Sequence, residues 1–333
     1  MHPFPTPLTV REALLKYCDL TSLISKKSLK KLGDFASNCD EKQKLDFLAS
    51  LKGKDEFKRT IQEPMLTIVD ILYKFPSVKV PIGVLVQILD RMQPRTYQVA
   101  SSSKVNPKRL EIAVEVLRQR TSEGKTRTGL CSGYFENMHV TALFKTVRGF
   151  FKEPAFKLPW PPSPVFMVSQ GCGVAVCRAF IQELQILLKE GVTYPEVYLY
   201  FGSKSKAKEF IYKQDLEKAL IPVEEEPEPY EHRPAKWGEG PYVLSKLFTA
   251  FSRDQTHKIY VQDILFAQHE RLWEALSDRN ACVFLSGPGV MVKSVDELLQ
   301  NIASEHLGED SQELFRTLKD EKRYCIEYWD NAK

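Results

Sequence analysis

The run Ser252-Arg253-Asp254-Gln255-Thr256-His257-Lys258-Ile259-Tyr260-Val261-Gln262 places a hydroxyl, a guanidinium, an ammonium and a phenol in one turn after an apolar stretch. A planar arginine fork beside a second cation and hydroxyl donors suits a phosphate monoester, such as the 2′-phosphate of NADPH, and a nearby ring can flank the adenine. The same residue types also make a solvated loop, so the reading depends on their company. Gly171-Cys172-Gly173 lies between an apolar run and a helical one, where a bare backbone can approach a pyrophosphate. Gly129-Leu130-Cys131-Ser132-Gly133 has, on spacing alone, the look of an ordinary hairpin turn. Trp329, near the C-terminus, reads by default as a core or edge aromatic. The six histidines have no motif spacing, and no Ser-His-Asp or paired-carboxylate arrangement stands out.

These residues need elements to hold them. Residues 9 to about 93 read as helical: Thr9-Val10-Arg11-Glu12 has capping-box spacing, and Ile61, Met65, Ile68, Ile71 and Leu72 fall near one face. Lys26, Lys27, Lys30 and Lys31 form a solvated face or a docking site for an acidic partner. From Arg95 the period shifts towards two, with Tyr97, Val99, Leu110, Ile112, Val114 and Val116 in short β-rich runs continuing from Ala142 to Leu158, which predicts a small antiparallel region. The segment Pro159-Trp160-Pro161-Pro162-Ser163-Pro164 is a stiff connector and marks a boundary. Beyond it, strands are expected at Val165–Val168, Glu196–Phe201, Lys246–Ser252, Ala281–Leu285 and Arg323–Trp329, with a turn at Ser169–Gly173 and a helix over Ala175–Glu190. That alternation predicts a doubly wound parallel sheet with ligands at the carboxyl ends of its strands. Pro222–Pro241, acidic and rich in proline, reads as a surface insertion.

Composition narrows the function classes. At 333 residues and 43% apolar content the chain has room for two domains. A net charge of +4 without a basic and aromatic stripe argues against nucleic acid. Seven cysteines without CxxC pairs or histidine partners argue against a disulfide framework and against a metal site, and suggest a cytoplasmic setting. No apolar run approaches the roughly 18 residues of a spanning helix, so no membrane segment is expected.

Taken together, these motifs resemble the C-terminal FAD- and NADPH-binding half of the diflavin reductases, relatives of ferredoxin-NADP reductase, of the cytosolic, methionine synthase or cytochrome reductase types. Arg95-Thr96-Tyr97-Gln98-Val99-Ala100-Ser101-Ser102 is similar to the family's flavin-binding strand RxYSxASS, and Gly129-Leu130-Cys131-Ser132 to its loop around the FAD diphosphate. Val168–Phe180 (VSQGCGVAVCRAF) stands where the family has VGPGTGIAPFRGF, and Tyr200–Leu216 resembles the strand and helix that follow. Ser252–Gln262 matches the 2′-phosphate motif, and Arg323–Trp329 looks like the terminal strand whose Trp covers the flavin ring.

The resemblance implies a ferredoxin-NADP reductase-like fold: a helical connecting module over 1–93, the remainder of an antiparallel FAD-binding barrel over 94–160, and a doubly wound NADP-binding domain over 161–333. It implies FAD on Arg95, Tyr97, Gln98, Gly129, Leu130, Cys131, Ser132 and Trp329. NADPH would lie on Gly171, Cys172, Gly173, Lys204, Ser252, Arg253, Lys258, Tyr260 and Gln262. Hydride would pass from NADPH to FAD, and electrons onward to an FMN domain, missing from this chain or separate, or to an acceptor protein. Gln98, Ser286, Glu327 and Trp329 would be the catalytic residues. Gln98 stands where the family has a serine, Ser286 where it has a cysteine, and Glu327 replaces a shorter acid. Cys172 replaces a threonine, Val176-Cys177 replaces Pro-Phe, Pro64-Met65 stands in place of a common arginine, and Asp330–Lys333 extend past the tryptophan. The chain starts inside the connecting module, so the barrel is expected to lack its first strands. The alternative expectation is a catalytically impaired nucleotide-binding or scaffolding relative with an incomplete barrel.

Overall fold

The computed structural model describes residues 4–121, 124, 126–138 and 146–329. Asp330–Lys333, and Ala142 at the start of the expected β-rich run, lie outside these residues. The chain divides into two compact units, Met1–Thr96 with Glu115–Gly149, and Tyr97–Val114 with Phe150–Lys333.

In the first unit, helices Val10–Tyr17, Lys26–Gly33, Cys39–Ala49, Ile68–Lys74 and Ile82–Ile88 surround a core that includes Leu29, Leu32, Leu45, Leu48, Ile61 and Ile71. Each such side chain contributes roughly 1.5 to 3 kcal/mol on burial. The expected capping box is present, with the Glu12 amide donating to Thr9 Oγ1 at 3.2 Å and the Thr9 amide to Glu12 Oε2 at 3.3 Å. Ile61 to Leu72 is not one helix, as the apolar spacing suggested. A π-helical turn over Lys58–Gln62 ends the first segment, Met65 takes a left-handed φ of 59°, and Thr67 caps a new helix. Asp70 secures that start by accepting from the Thr67 amide at 2.8 Å, and it also accepts from Arg127 at 2.7 Å. Burial works against its charge, but the Thr67 and Arg127 donors hold the Asp70 carboxyl below its ordinary range.

The antiparallel pairing expected after Arg95 is sparse among the described residues. It consists of a three-residue ladder between β1 (Arg118–Arg120) and β2 (Thr126–Thr128), and an isolated bridge between Val99 and Ile112. Alternation alone did not create a buried face there, since Leu110 is 57% exposed. Gly129–Gly133 is not a hairpin turn either: helix Leu130–Glu136 begins inside it.

The second unit is built on five parallel strands, β3 (Val165–Gln170), β4 (Val197–Ser203), β5 (Lys246–Phe251), β6 (Cys282–Pro288) and β7 (Tyr324–Trp329), in the order β5-β4-β3-β6-β7. Both faces are covered, which explains why β3 and β4 read as continuous apolar runs. Phe166, Val168, Tyr198 and Tyr200 pack with helices Val261–Ala267 and Gly289–Leu307, while Val165, Met167, Val197 and Leu199 pack with helix Val174–Lys189 on the other side. The strand ends run further than expected at β3, β4 and β6.

The proline-rich insertion is more than a surface loop. Glu231 bridges Phe248, the His232 amide donates to Leu247 O at 2.7 Å and the Thr249 amide to Tyr230 O at 3.0 Å, so the insertion covers the outer edge of β5. One helical stretch, Gly171–Lys189, is long and apolar enough to cross a membrane by length and composition, contrary to the expectation that no run approached this. Of its apolar residues, Val174, Ala175, Cys177, Ile181 and Leu184 are buried within the unit.

Candidate functional site

The chain enters the parallel sheet at its centre, winds outwards through β4 and β5, then returns to β6 and β7 on the other side of β3. A crevice at the carboxyl ends of β3 and β6 follows from that reversal. The turn Gly171–Gly173 leaves β3 at this point and leads into helix Val174–Lys189. Gly171 has φ +55°, which a side chain would strain, and a Cβ on Gly173 would meet Ser286 O at 2.2 Å. Both glycines are thus required by the path of the backbone.

Ser286 is 1% exposed and stands in register with Ser169 on β3 and Glu327 on β7. Gln98, far away in sequence, donates through Nε2 to Ser286 Oγ at 2.7 Å and to Glu327 Oε2 at 3.3 Å. The Ser286 hydroxyl donates to Gln98 Oε1 at 2.9 Å. Gln98, Ser286 and Glu327, far apart in sequence, therefore form one hydrogen-bonded cluster. Trp329 ends β7 opposite Pro288 and is half-buried.

At the other side of the sheet the Ser252–Tyr260 loop is tied to the end of β4. The Ser252 amide donates to Ser203 O at 3.0 Å and the Arg253 amide to Lys204 O at 2.8 Å. Asp254 accepts from the Lys206 amide at 2.7 Å, which joins the two loops. Between them lies a surface pocket of about 720 Å³ lined by Arg253, Lys206, Lys208 and Lys213, with Phe210 and Ile211 among its apolar walls. Lys204 turns instead to Glu209, its amide 3.0 Å from the Glu209 carboxylate. Lys258 and Tyr260 are exposed, and Gln262 is half-buried in the helix that follows, whose start is secured by Asp263 accepting from the Tyr260 amide at 2.8 Å. Lys206, Lys208 and Lys213 were not singled out from the sequence, although the alternating lysines of KSKAKEFIYK were the available signal.

Arg178 was also missed. It is 12% exposed in its side chain, donates to Ala100 O at 2.7 Å and Glu111 at 2.6 Å, binds Asp215, and lies 4.7 Å over the Tyr212 ring. Burial opposes its charge, yet the two carboxylates raise its pKa above the ordinary value. With the Ser102 amide donating to Gln182 at 2.9 Å, it fixes the Tyr97–Val114 segment and hence Gln98. Cys172 is half-exposed, whereas burial pushes the Cys177 thiol up to about 12 and keeps it protonated.

The residues assigned to FAD are distributed over both units, with Tyr97, Gln98 and Trp329 in the second and Arg95 and Gly129, Leu130, Cys131 and Ser132 in the first. Arg95 donates to Gln93 O at 2.5 Å and pairs with Asp19 at 3.5 Å. Burial would raise Asp19, but the Thr21 donors and Arg95 hold it below the ordinary carboxylate range. Ser132 Oγ accepts from the Leu117 amide at 3.2 Å, and the Gly129 amide donates to Leu117 O at 2.8 Å, anchoring that loop. Among the described residues no group of three His, Cys, Asp or Glu side chains is placed to hold a metal ion.

Residues 1–134 match the family described as FAD binding domain. Over 98% of its length the chain is similar to NADPH–cytochrome P450 reductases: 30% identical to that of Drosophila melanogaster over 336 residues, 46% of the relative. It is 31% identical to those of Cavia porcellus over 338 residues and Homo sapiens over 339, covering 98% of this chain and 47% of each relative. The chain thus spans about half the length of the curated relatives it matches. The similarity to these reductases thus runs from end to end of the chain, and the match to the FAD binding domain covers its first 134 residues.

Proposed function

We propose that the chain is the reductase half of an NADPH-dependent diflavin system in a cytoplasmic setting. In this reading residues 1–93 are the connecting module, 94–160 the remainder of a ferredoxin-NADP reductase-like FAD barrel, and 161–333 the NADP-binding domain. The observation that carries it is the alignment, along one carboxyl edge, of a cationic pocket, a glycine turn and the Ser286 cluster. The nucleotide fits this edge: the open space beside Gly171, at the turn that leads into a helix, suits a diphosphate, and the cations around Arg253 suit a 2′-phosphate.

Arg253, Lys258, Ser252 and Tyr260 hold the phosphorylated ribose, with Lys204 and Gln262 alongside, while Gly171, Cys172 and Gly173 receive the diphosphate. Arg95 and the backbone of Gly129, Leu130, Cys131 and Ser132 hold the FAD phosphates, and Tyr97 and Trp329 flank its ring. When bound, NADPH supplies a hydride that FAD accepts, and electrons continue to an FMN domain or an acceptor protein. Ser286 and Glu327, with Gln98 hydrogen-bonded to both, stand where the reacting rings are positioned. An impaired scaffolding relative is not favoured, because the similarity to reductases runs over 98% of the chain. Anaerobic mixing of the FAD-loaded protein with NADPH tests the proposal: bleaching of the visible flavin band supports it, and an unchanged spectrum with nucleotide bound contradicts it.

A further inference from the structure

Gln98 brings a primary carboxamide to the mouth of the crevice, and its amide is engaged on both atoms. Nε2 donates to Ser286 Oγ at 2.7 Å and to Glu327 Oε2 at 3.3 Å, while Oε1 accepts from the Ser286 hydroxyl at 2.9 Å. A hydroxyl that can give and take a hydrogen bond, beside a carboxylate that takes one, is a receptor for a carboxamide. Nicotinamide carries the same group. A dinucleotide with its 2′-phosphate beside Arg253 and its diphosphate on Gly171–Gly173 continues across β3 towards β6 and β7, where Ser286 and Glu327 stand.

We propose that Gln98 is an internal stand-in for the nicotinamide carboxamide, occupying the Ser286–Glu327 receptor until the nucleotide's own amide displaces it. The proposal rests on the nucleotide reading above. It separates the two ends of the ligand: the adenosine end docks with Gln98 in place, and the nicotinamide end binds only by exchanging one carboxamide for another. That exchange is nearly balanced, since the bonds lost and gained are of the same kind, so the nicotinamide end adds little affinity to the parent protein. Gln98 gains its hold from Arg178, which pins the next turn of its segment through Ala100 O.

The test compares NADP+ with 2′,5′-ADP, which has the phosphorylated adenosine end alone, by titration calorimetry on the full chain. In the parent the two are expected to bind equally within about threefold. In Gln98→Ala, NADP+ should tighten roughly tenfold while 2′,5′-ADP stays unchanged. Adding Ser286→Ala should remove most of that gain. A purely structural Gln98 would lower stability without moving the ratio, so an equal NADP+ to 2′,5′-ADP ratio in parent and variant overturns the proposal. If Gln98→Ala loses its cooperative thermal transition, Gln98→Asn withdraws the amide by one methylene and carries the same expectation. Failure of the parent to bind 2′,5′-ADP would overturn the nucleotide reading itself, and this inference with it.

Discussion

A Cβ added at Gly173 would stand 2.2 Å from the carbonyl oxygen of Ser286, so the turn after β3 and the end of β6 meet backbone to backbone. Neither side can yield without moving a strand end. Gly173→Ala is therefore expected to cost about 1 to 3 kcal/mol of stability and to weaken nucleotide binding as the turn is pushed out of place. Urea unfolding with a parallel nucleotide titration checks this. A variant matching the parent in both would show that the turn is freer than its packing implies.

Arg178 should behave as the clasp of the Gln98 segment. Arg178→Met leaves Glu111 and Asp215 without their shared guanidinium and frees Ala100 O, at an expected cost of about 2 to 3 kcal/mol, discounted because both carboxylates reach solvent. Hydrogen exchange should rise first at the Ala100 amide, which now donates to Glu111 O at 2.7 Å. Unchanged protection there would mean that the segment is held by other contacts.

Glu228 predicts an acid limb of stability. Burial alone would raise its carboxyl, but the fork of Arg271 at 2.7 and 3.0 Å together with Lys246 holds it down to about 2. Because the folded value lies below the unfolded one, this stabilisation is fully present above about pH 4.5 and is lost as the pH falls towards 2. Glu228→Gln should flatten the pH dependence of the urea midpoint across that window and lower stability at neutral pH by roughly 2 to 3 kcal/mol. The Pro222–Pro241 insertion, which Glu228 fastens near β5, should become protease-sensitive in the variant. A pH profile parallel to the parent's would rule out this cluster as the source.

Much of the second unit was legible in sequence because β3 and β4 are buried on both faces, and such strands appear as plain apolar runs bounded by turn residues. The glycine turn and the Ser252 loop were legible for the same reason: each follows a strand immediately. What escaped was non-local. Arg178 meets partners 67 and 37 residues away, and nothing in the spacing of Glu111 or Asp215 announces them. The Gln98–Ser286–Glu327 cluster spans still longer separations, so three substitutions that looked independent proved to touch. The region after Arg95 misled in the opposite direction, since among the described residues it pairs at one bridge and one short ladder and leaves Leu110 exposed. Gly129–Gly133 looked like a hairpin because Gly-x-x-x-Gly spacing does not reveal that a helix starts between the two glycines.

Selection of a dinucleotide by its 2′-phosphate at the carboxyl edge of the parallel sheet is tested most directly by titration calorimetry of NADPH and NADH against the parent and Arg253→Ala. Charged hydrogen bonds of about 1.5 to 3 kcal/mol imply that Arg253→Ala weakens NADPH binding on the order of tenfold to a hundredfold and leaves NADH almost unaffected. Equal losses for the two nucleotides, or no preference for NADPH in the parent, would contradict the assignment.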